Sequence, residues 1–238
     1  SLKYKNTPQS ELMSAYFFDV SLPFQKKTEN RQNTLIPKLN FRISPHDMKY
    51  HSNSSRRVDI GNVFSNNRLS LGDSFETGES LTLGIDFKKQ KINQISRVIE
   101  IEGVKIDYAN LTNSEIEKKL KEVSNFKKET ITEIEDYIDF SLATVFRFNK
   151  EEDIPINSTI NEKTSNIFGN VVYRPIKDIS LGYNFSLTND LNIIEHGTLN
   201  AKYITENFST EFSFTEEAGI LGDSNVVANE TKLIDFKD

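Results

Sequence analysis

The chain has no cysteine and no tryptophan among its 238 residues. Without thiols, neither disulfides nor cysteine-held metal centres are available. Neither sign of charge dominates. The 29 Lys and Arg set against 35 Asp and Glu leave a net −6, which supplies no basic field for nucleic acid. Long hydrophobic runs are also missing, so no stretch of about 18 apolar residues exists to cross a membrane as a helix. A membrane barrel stays open, because its strands need only about 9–11 residues each. Apolar residues make up 36%, and adding the ten Gly brings them to about 40%, below the roughly 45–50% of a globular domain. Yet 17 Phe and 8 Tyr raise aromatics to 11%, more than a disordered chain carries. That combination suits strands that spend apolar residues on one face only.

Alternation is what the sequence has in quantity. In 79–88, Leu81, Leu83, Ile85 and Phe87 share one face, with Ser80, Thr82, Gly84 and Asp86 on the other. Period-two alternation marks a strand with one apolar and one polar face. Residues 14–24, 34–44, 137–149, 166–175, 179–188, 193–204, 208–215 and 226–236 repeat the pattern with varying strictness. The stretch 34–44 sets Leu35, Pro37, Leu39, Phe41 and Ile43 against Ile36, Lys38, Asn40, Arg42 and Ser44. A face carrying Lys, Asn, Arg and Ser cannot sit in a dry core and is expected to face water. Turns such as Ile176-Lys177-Asp178 and Asn189-Asp190-Leu191-Asn192 rest on Asp and Asn. About nine strands in sequence order make an all-β antiparallel up-and-down meander.

Two segments interrupt it. Residues 45–78 form a long loop, extracellular or lumenal, whose Val58, Ile60, Val63 and Phe64 call for packing. Residues 89–135 read as an insertion, with a hairpin turning at Glu102-Gly103 and one amphipathic helix near 114–126. The chain opens without Met or a signal peptide and closes in polar sequence, so a piece of a longer protein is expected.

Periodicity alone does not separate a membrane barrel from a soluble sandwich. Three features favour the barrel. Strands run about 10–13 residues. Aromatics gather at strand ends, as at Tyr16, Phe24, Phe87, Tyr137, Phe148, Tyr173 and Tyr203. Long connectors (45–78, 150–164, 216–225) fall on one side by strand parity, and the turns at 176–178 and 206–207 fall on the other.

The long loop carries D-x-x-N-x-F-x-x-N-R-x-x-x-x-D-x-x-E-x-G, from Asp59 through Asn62, Phe64, Asn67, Arg68, Asp73 and Glu76 to Gly78. This motif, with LIPKLNFRISP (35–45) before it and IDFSLATVFRFN (138–149) after it, resembles the LptD family of outer-membrane lipopolysaccharide-assembly proteins. The segment 179–217 is similar to the later strands of those barrels. The resemblance implies a fragment of a transmembrane barrel that inserts lipopolysaccharide into the outer leaflet. It implies the lipoprotein LptE as plug, and LptA docked to an amino-terminal domain outside this sequence. A generic porin or receptor barrel, or a soluble β-sandwich binding module, remains the alternative.

Catalysis finds little support. His46, His51 and His196 are scattered, and no G-x-S-x-G elbow occurs. No cofactor and no metal are expected, although Asp59, Asp73 and Glu76 are oxygen donors of the kind a divalent cation takes. The motif residues read instead as a gating or plug loop pinned by Arg68 to Asp73 or Glu76. Lys38, Asn40, Arg42, Ser80, Thr82, Asp86, Asn184 and Ser186 are the candidates for a hydrated lumen wall.

Overall fold

A computed structural model describes residues 13–101, 104–105, 126–205, 207–218 and 224–233, with side chains over 13–94, 132–205 and 207–218. Eleven strands are described: β1 Tyr16–Ser21, β2 Phe24–Lys27, β3 Arg31–Ser44, β4 Gly78–Ile101, β5 Val104–Lys105, β6 Phe126–Arg147, β7 Ile167–Ile176, β8 Ile179–Leu187, β9 Ile194–Ile204, β10 Phe208–Glu217 and β11 Ser224–Leu233. They form one antiparallel sheet in the order β1-β3-β4-β6-β7-β8-β9-β10-β11, with β2 beside β3 and β5 beside β4. The nine-strand path is the expected meander. Its end strands, β1 and β11, do not pair with each other.

Two differences from the sequence reading have plain causes. The run 14–24 is split, because Leu22 donates to Pro37 O of β3 but Pro37 has no N–H to return, and the ladder breaks between β1 and β2. The expected connector at 25–33 then contributes β2, which pairs with the first residues of β3. Residues 89–101 and 126–135 do not stand apart as an insertion. They prolong β4 and β6 into strands of 24 and 22 residues. The two pair from Ser80↔Arg147 to Ile101↔Phe126, with register shifts at Lys89/Gln90 and Val98/Glu100. β3 accompanies β4 only as far as Lys91, so the hairpin runs about ten residues beyond its neighbours. The Ile101↔Val104 pair brackets the expected turn at Glu102-Gly103. That turn, and residues 114–125 of the expected helix, lie outside the described residues. Phe126 is strand.

Cross-strand register assigns the two faces. One row runs Leu35, Phe87, Phe140, Val171, Tyr183, Leu199, Phe214. The row on the opposite face runs Ile36, Asp86, Ser141, Asn170, Asn184, Thr198, Thr215. Burial is inverted relative to a soluble sheet. Phe18 is 63% exposed, and Val20, Leu83, Phe146, Leu181 and Leu199 are exposed with it. Asn40, Arg42, Ser80, Thr82 and Arg147 are buried. Burying apolar area is what stabilises a sheet in water, at about 25 cal/mol per Å². A sheet that exposes its Phe and Leu and covers its Arg and Ser is therefore built for an apolar surround.

Aromatic pairs bound the apolar band. Phe41 packs edge-on against Phe148 at one rim, and Tyr137 against Tyr173 at the other. The eleven steps from Tyr137 to Phe148 cover about 36 Å along the strand. At a tilt of about 40° that becomes about 28 Å, close to the apolar band of an outer-membrane barrel.

Candidate functional site

The polar face is covered by the chain's own loops. Residues 45–77 between β3 and β4, and 148–166 between β6 and β7, fold onto β3, β4, β6 and β7. Their apolar residues Met48, Val58, Val63, Leu69, Leu71, Ile154 and Ile160 pack with Ala143, Val145 and Phe168 of the strands, and Ile60 and Phe64 join them. The expected packing of Val58, Ile60, Val63 and Phe64 is thus present. The two loops also bind each other through main chain, His51 N–H to Asp153 O and Ile156 N–H to Ser52 O.

Glu76 is the hub of this arrangement. Arg68 grips it with a fork, Nε to Oε2 at 2.7 Å and Nη2 to Oε1 at 2.5 Å. Arg42 of β3 reaches Oε2 at 3.0 Å, and Arg147 of β6 reaches Oε1 at 2.6 Å. Four charged side chains from one loop and two strands therefore meet, each almost fully buried. Several further donors are used, while Nε of Arg42 and of Arg147 is buried without a partner. Arg68 donates to Thr82 and Ser80 of β4, both at 3.0 Å. Arg42 donates to Ser65 O at 2.8 Å, and Arg147 to Thr77 O. Burial by itself would push the Glu76 carboxyl up. The charges of Arg68 and Arg42, the Arg68 hydrogen bond and Arg147 override it and hold it down at about 2.

The sequence offered Arg68 two acids, and the structure uses Glu76. Asp73 instead lies at the surface, paired with Lys49 and His51. Asp59 caps a turn by accepting from the N–H groups of Gly61 and Asn62, and Asn62 returns a bond to Asp59 N–H. Asn67 closes the next turn through its main-chain oxygen, which accepts from Ser70. Each of the three carboxylates thus has its own protein partners. Gly78 sits at φ 81°, and a Cβ there would fall 2.7 Å from Arg147 Nη2 and 2.9 Å from Glu151 Oε1. Both the backbone and the crowding require glycine.

Phe64 settles on Gly84 of β4. A Cβ at Gly84 would lie 2.6 Å from the Phe64 ring and 2.9 Å from Leu142 O, while Lys38 stands over the same ring. Gly84→Val is therefore expected to lift Phe64 and destabilise the protein by about 1–3 kcal/mol. Adding Phe64→Ala should recover the share due to the ring. The check is a double-mutant cycle on denaturant midpoints, and a Gly84→Val protein as stable as the parent would refute the contact.

The remaining wall candidates all lie on the polar face. Lys38 pairs with Asp86, and Asn40 donates to Asp19 at 2.6 Å. Ser186 accepts from Asn166 at 3.0 Å, and Asn184 lies between Asn170 and Thr198 in the ladder. Two residues of this arrangement escaped the sequence reading. Arg147 follows Ala143 and Val145 on the polar face, and its signal was an arginine there just before a long loop. Arg57 ties the loop to far strands, donating to Glu217 of β10 and facing His196 Nδ1 of β9 at 3.1 Å.

No curated protein matches the chain. The family model LptD, described as LPS transport system D, matches residues 3–226, all but two residues at one end and twelve at the other. With an inverted antiparallel sheet and a loop motif anchored by buried Arg68 and Glu76 beneath that match, the chain belongs to the LptD family, which works in lipopolysaccharide transport at the outer membrane.

Proposed function

We propose that this chain is part of the barrel wall of a lipopolysaccharide translocon that inserts the glycolipid into the outer leaflet. LptE is the plug lipoprotein inside the barrel, and LptA docks to an amino-terminal domain outside this sequence. Acyl chains enter the bilayer through a seam between the terminal strands of the whole barrel, while the sugars pass through the lumen. No bond is made or broken. The observation that carries this reading is the inverted sheet, whose polar face is occupied by a loop pinned through Glu76. Such a loop suits a wide lumen that must stay sealed when idle. The side chains Lys38, Asn40, Arg42, Ser80, Thr82, Asp86, Asn184 and Ser186 then form a hydrated wall. Residues 59–78 act as gate or plug.

The test is depletion of the intact protein in its host, followed by tracking newly made lipopolysaccharide. Retention at the inner membrane and periplasm, with loss from the surface, is the expected result. Unchanged surface delivery would leave a barrel of the porin or receptor kind.

A further inference from the structure

The apolar face of the sheet changes character at the end opposite the loops at 45–77 and 148–166. Phe87 closes the apolar run on that face of β4, in register with Leu35 and Phe140. Two and four residues further on stand Lys89 and Lys91. Register puts Asn33 beside Lys89, with Lys26 of β2 beyond it, and Arg31 directly opposite Lys91. Lys26, Arg31, Lys89 and Lys91 therefore share the apolar face over two adjacent rows. Like charges placed directly opposite each other destabilise a sheet. Arg31 and Lys91 thus make a pairing that the strands by themselves disfavour.

No carboxylate relieves it. Among the described residues none of the four cations makes an ion pair, although Glu135 is the cross-strand neighbour of Lys91 on its other side. Lys88, on the polar face, differs and pairs with Asp136 at 2.8 Å. Lys91 Nζ turns instead to the ring of Tyr137, 4.2 Å from its centroid, and to Pro175 O at 3.4 Å. Lys89 Nζ stands 5.6 Å from the same centroid. Cation–π attraction holds both ammonium groups against one ring, at the rim where Tyr137 packs on Tyr173. Aromatic rims lie at the level of the lipid head groups. An anion at that level meets four positive side chains, with an apolar surface directly adjoining.

We infer that this stripe docks an anionic glycerophospholipid. Its phosphate sits among Lys26, Arg31, Lys89 and Lys91, and its acyl chains lie along the row of Leu35, Phe87 and Phe140. The tight turn from β7 to β8 is at this end, and the short turns of outer-membrane barrels face the periplasm. The site therefore serves the periplasmic leaflet, across the membrane from the one the glycolipid enters. It lies on the outside of the wall, away from the lumen, and goes beyond the transport reading.

The experiment uses the intact protein with its plug lipoprotein in phosphatidylcholine nanodiscs. The probe is a trace of radiolabelled phosphatidylglycerol with a photoreactive group beside its phosphate. Labelling is expected within 24–35, 87–93 and 137–138, at least tenfold above that by a phosphatidylcholine probe of the same design. A basic side chain near an anionic lipid surface contributes about fivefold to binding. Lys89→Gln with Lys91→Gln should therefore cut the labelling at least tenfold, and Lys89→Arg with Lys91→Arg should restore it. Lys26→Gln with Arg31→Gln supplies an independent loss should the first pair not fold, and heat-modifiable gel mobility reports folding. Equal labelling by the two probes, labelling elsewhere on the chain, or labelling unchanged in a folded glutamine variant would each overturn the inference. Displacement of the probe by lipopolysaccharide more readily than by unlabelled phosphatidylglycerol would give the stripe to the glycolipid and overturn it as well.

Discussion

Glu76→Gln is expected to release the loop at 45–77 from the sheet and to destabilise its seated form by about 3–5 kcal/mol. The substitution keeps size and removes one negative charge, leaving the guanidinium groups of Arg42, Arg68 and Arg147 buried without their shared counter-charge. Desolvation of three cations is then uncompensated, and the least costly relief is for the loop to leave. Limited proteolysis of the folded protein in membranes measures this as new cleavage within 45–77. Passage of large antibiotics into cells should rise in parallel. Acid should reproduce the effect in the unaltered protein. The carboxyl is held at about 2, below its ordinary 4.5. Its contribution is complete above about pH 4.5 and is lost as pH falls through about 2. Pepsin should therefore spare the loop at pH 4 and cut it near pH 2, while Glu76→Gln is cut at both. Equal resistance of the two proteins at pH 4 would dismiss Glu76 as the hub.

Leu83→Arg should have the second large effect, and it separates two environments that look identical on paper. Leu83 is 40% exposed near the middle of the apolar band. In water, replacing an exposed Leu away from special features changes stability by no more than about 0.5 kcal/mol. Facing lipid, an arginine near the midplane costs about 2–4 kcal/mol. Leu191→Arg, at 62% exposure in the turn between β8 and β9, provides the control and should be close to neutral. Urea midpoints for the whole barrel in lipid give both values. A Leu83→Arg protein as stable as the control would mean that this face meets water.

The strands were legible because their two faces differ so sharply. Leu35 to Ile43 and Leu81 to Phe87 announce themselves by alternation alone. Past Lys88 the same strand carries Lys89, Gln90 and Lys91 in succession and shifts register there. The period breaks, and β4 reads as ended when it is not yet half done. The loop motif told its own story locally. Asp59 and Asn62 are turn chemistry that neighbours in sequence reveal. Arg68 and Glu76 are eight residues apart and opposite in charge, which made the pair an expectation. Preferring Glu76 to Asp73 needed the fold, since both acids are within reach of Arg68. Arg147 joins from 71 residues away, and Arg57 finds Glu217 from 160 away. No local pattern carries such meetings, because strand order creates them.

The hub around Glu76 has a consequence for the order in which the barrel assembles. Its contacts span very different lengths of chain: eight residues for Arg68, 34 for Arg42 and 71 for Arg147. Closing a longer loop costs more entropy, about 0.6 kcal/mol for each doubling. The clasp is therefore expected to form in stages. Arg68 and Glu76 meet as soon as the loop exists, and Arg42 joins when β3 and β4 zip together. Arg147 arrives only once β6 has been laid along β4. Until that third strand is in place, Glu76 has two cations instead of three and the loop lacks its last restraint. The loop becomes fully seated only as the strands beside it are laid down, so an unfinished sheet holds it less firmly than a finished one.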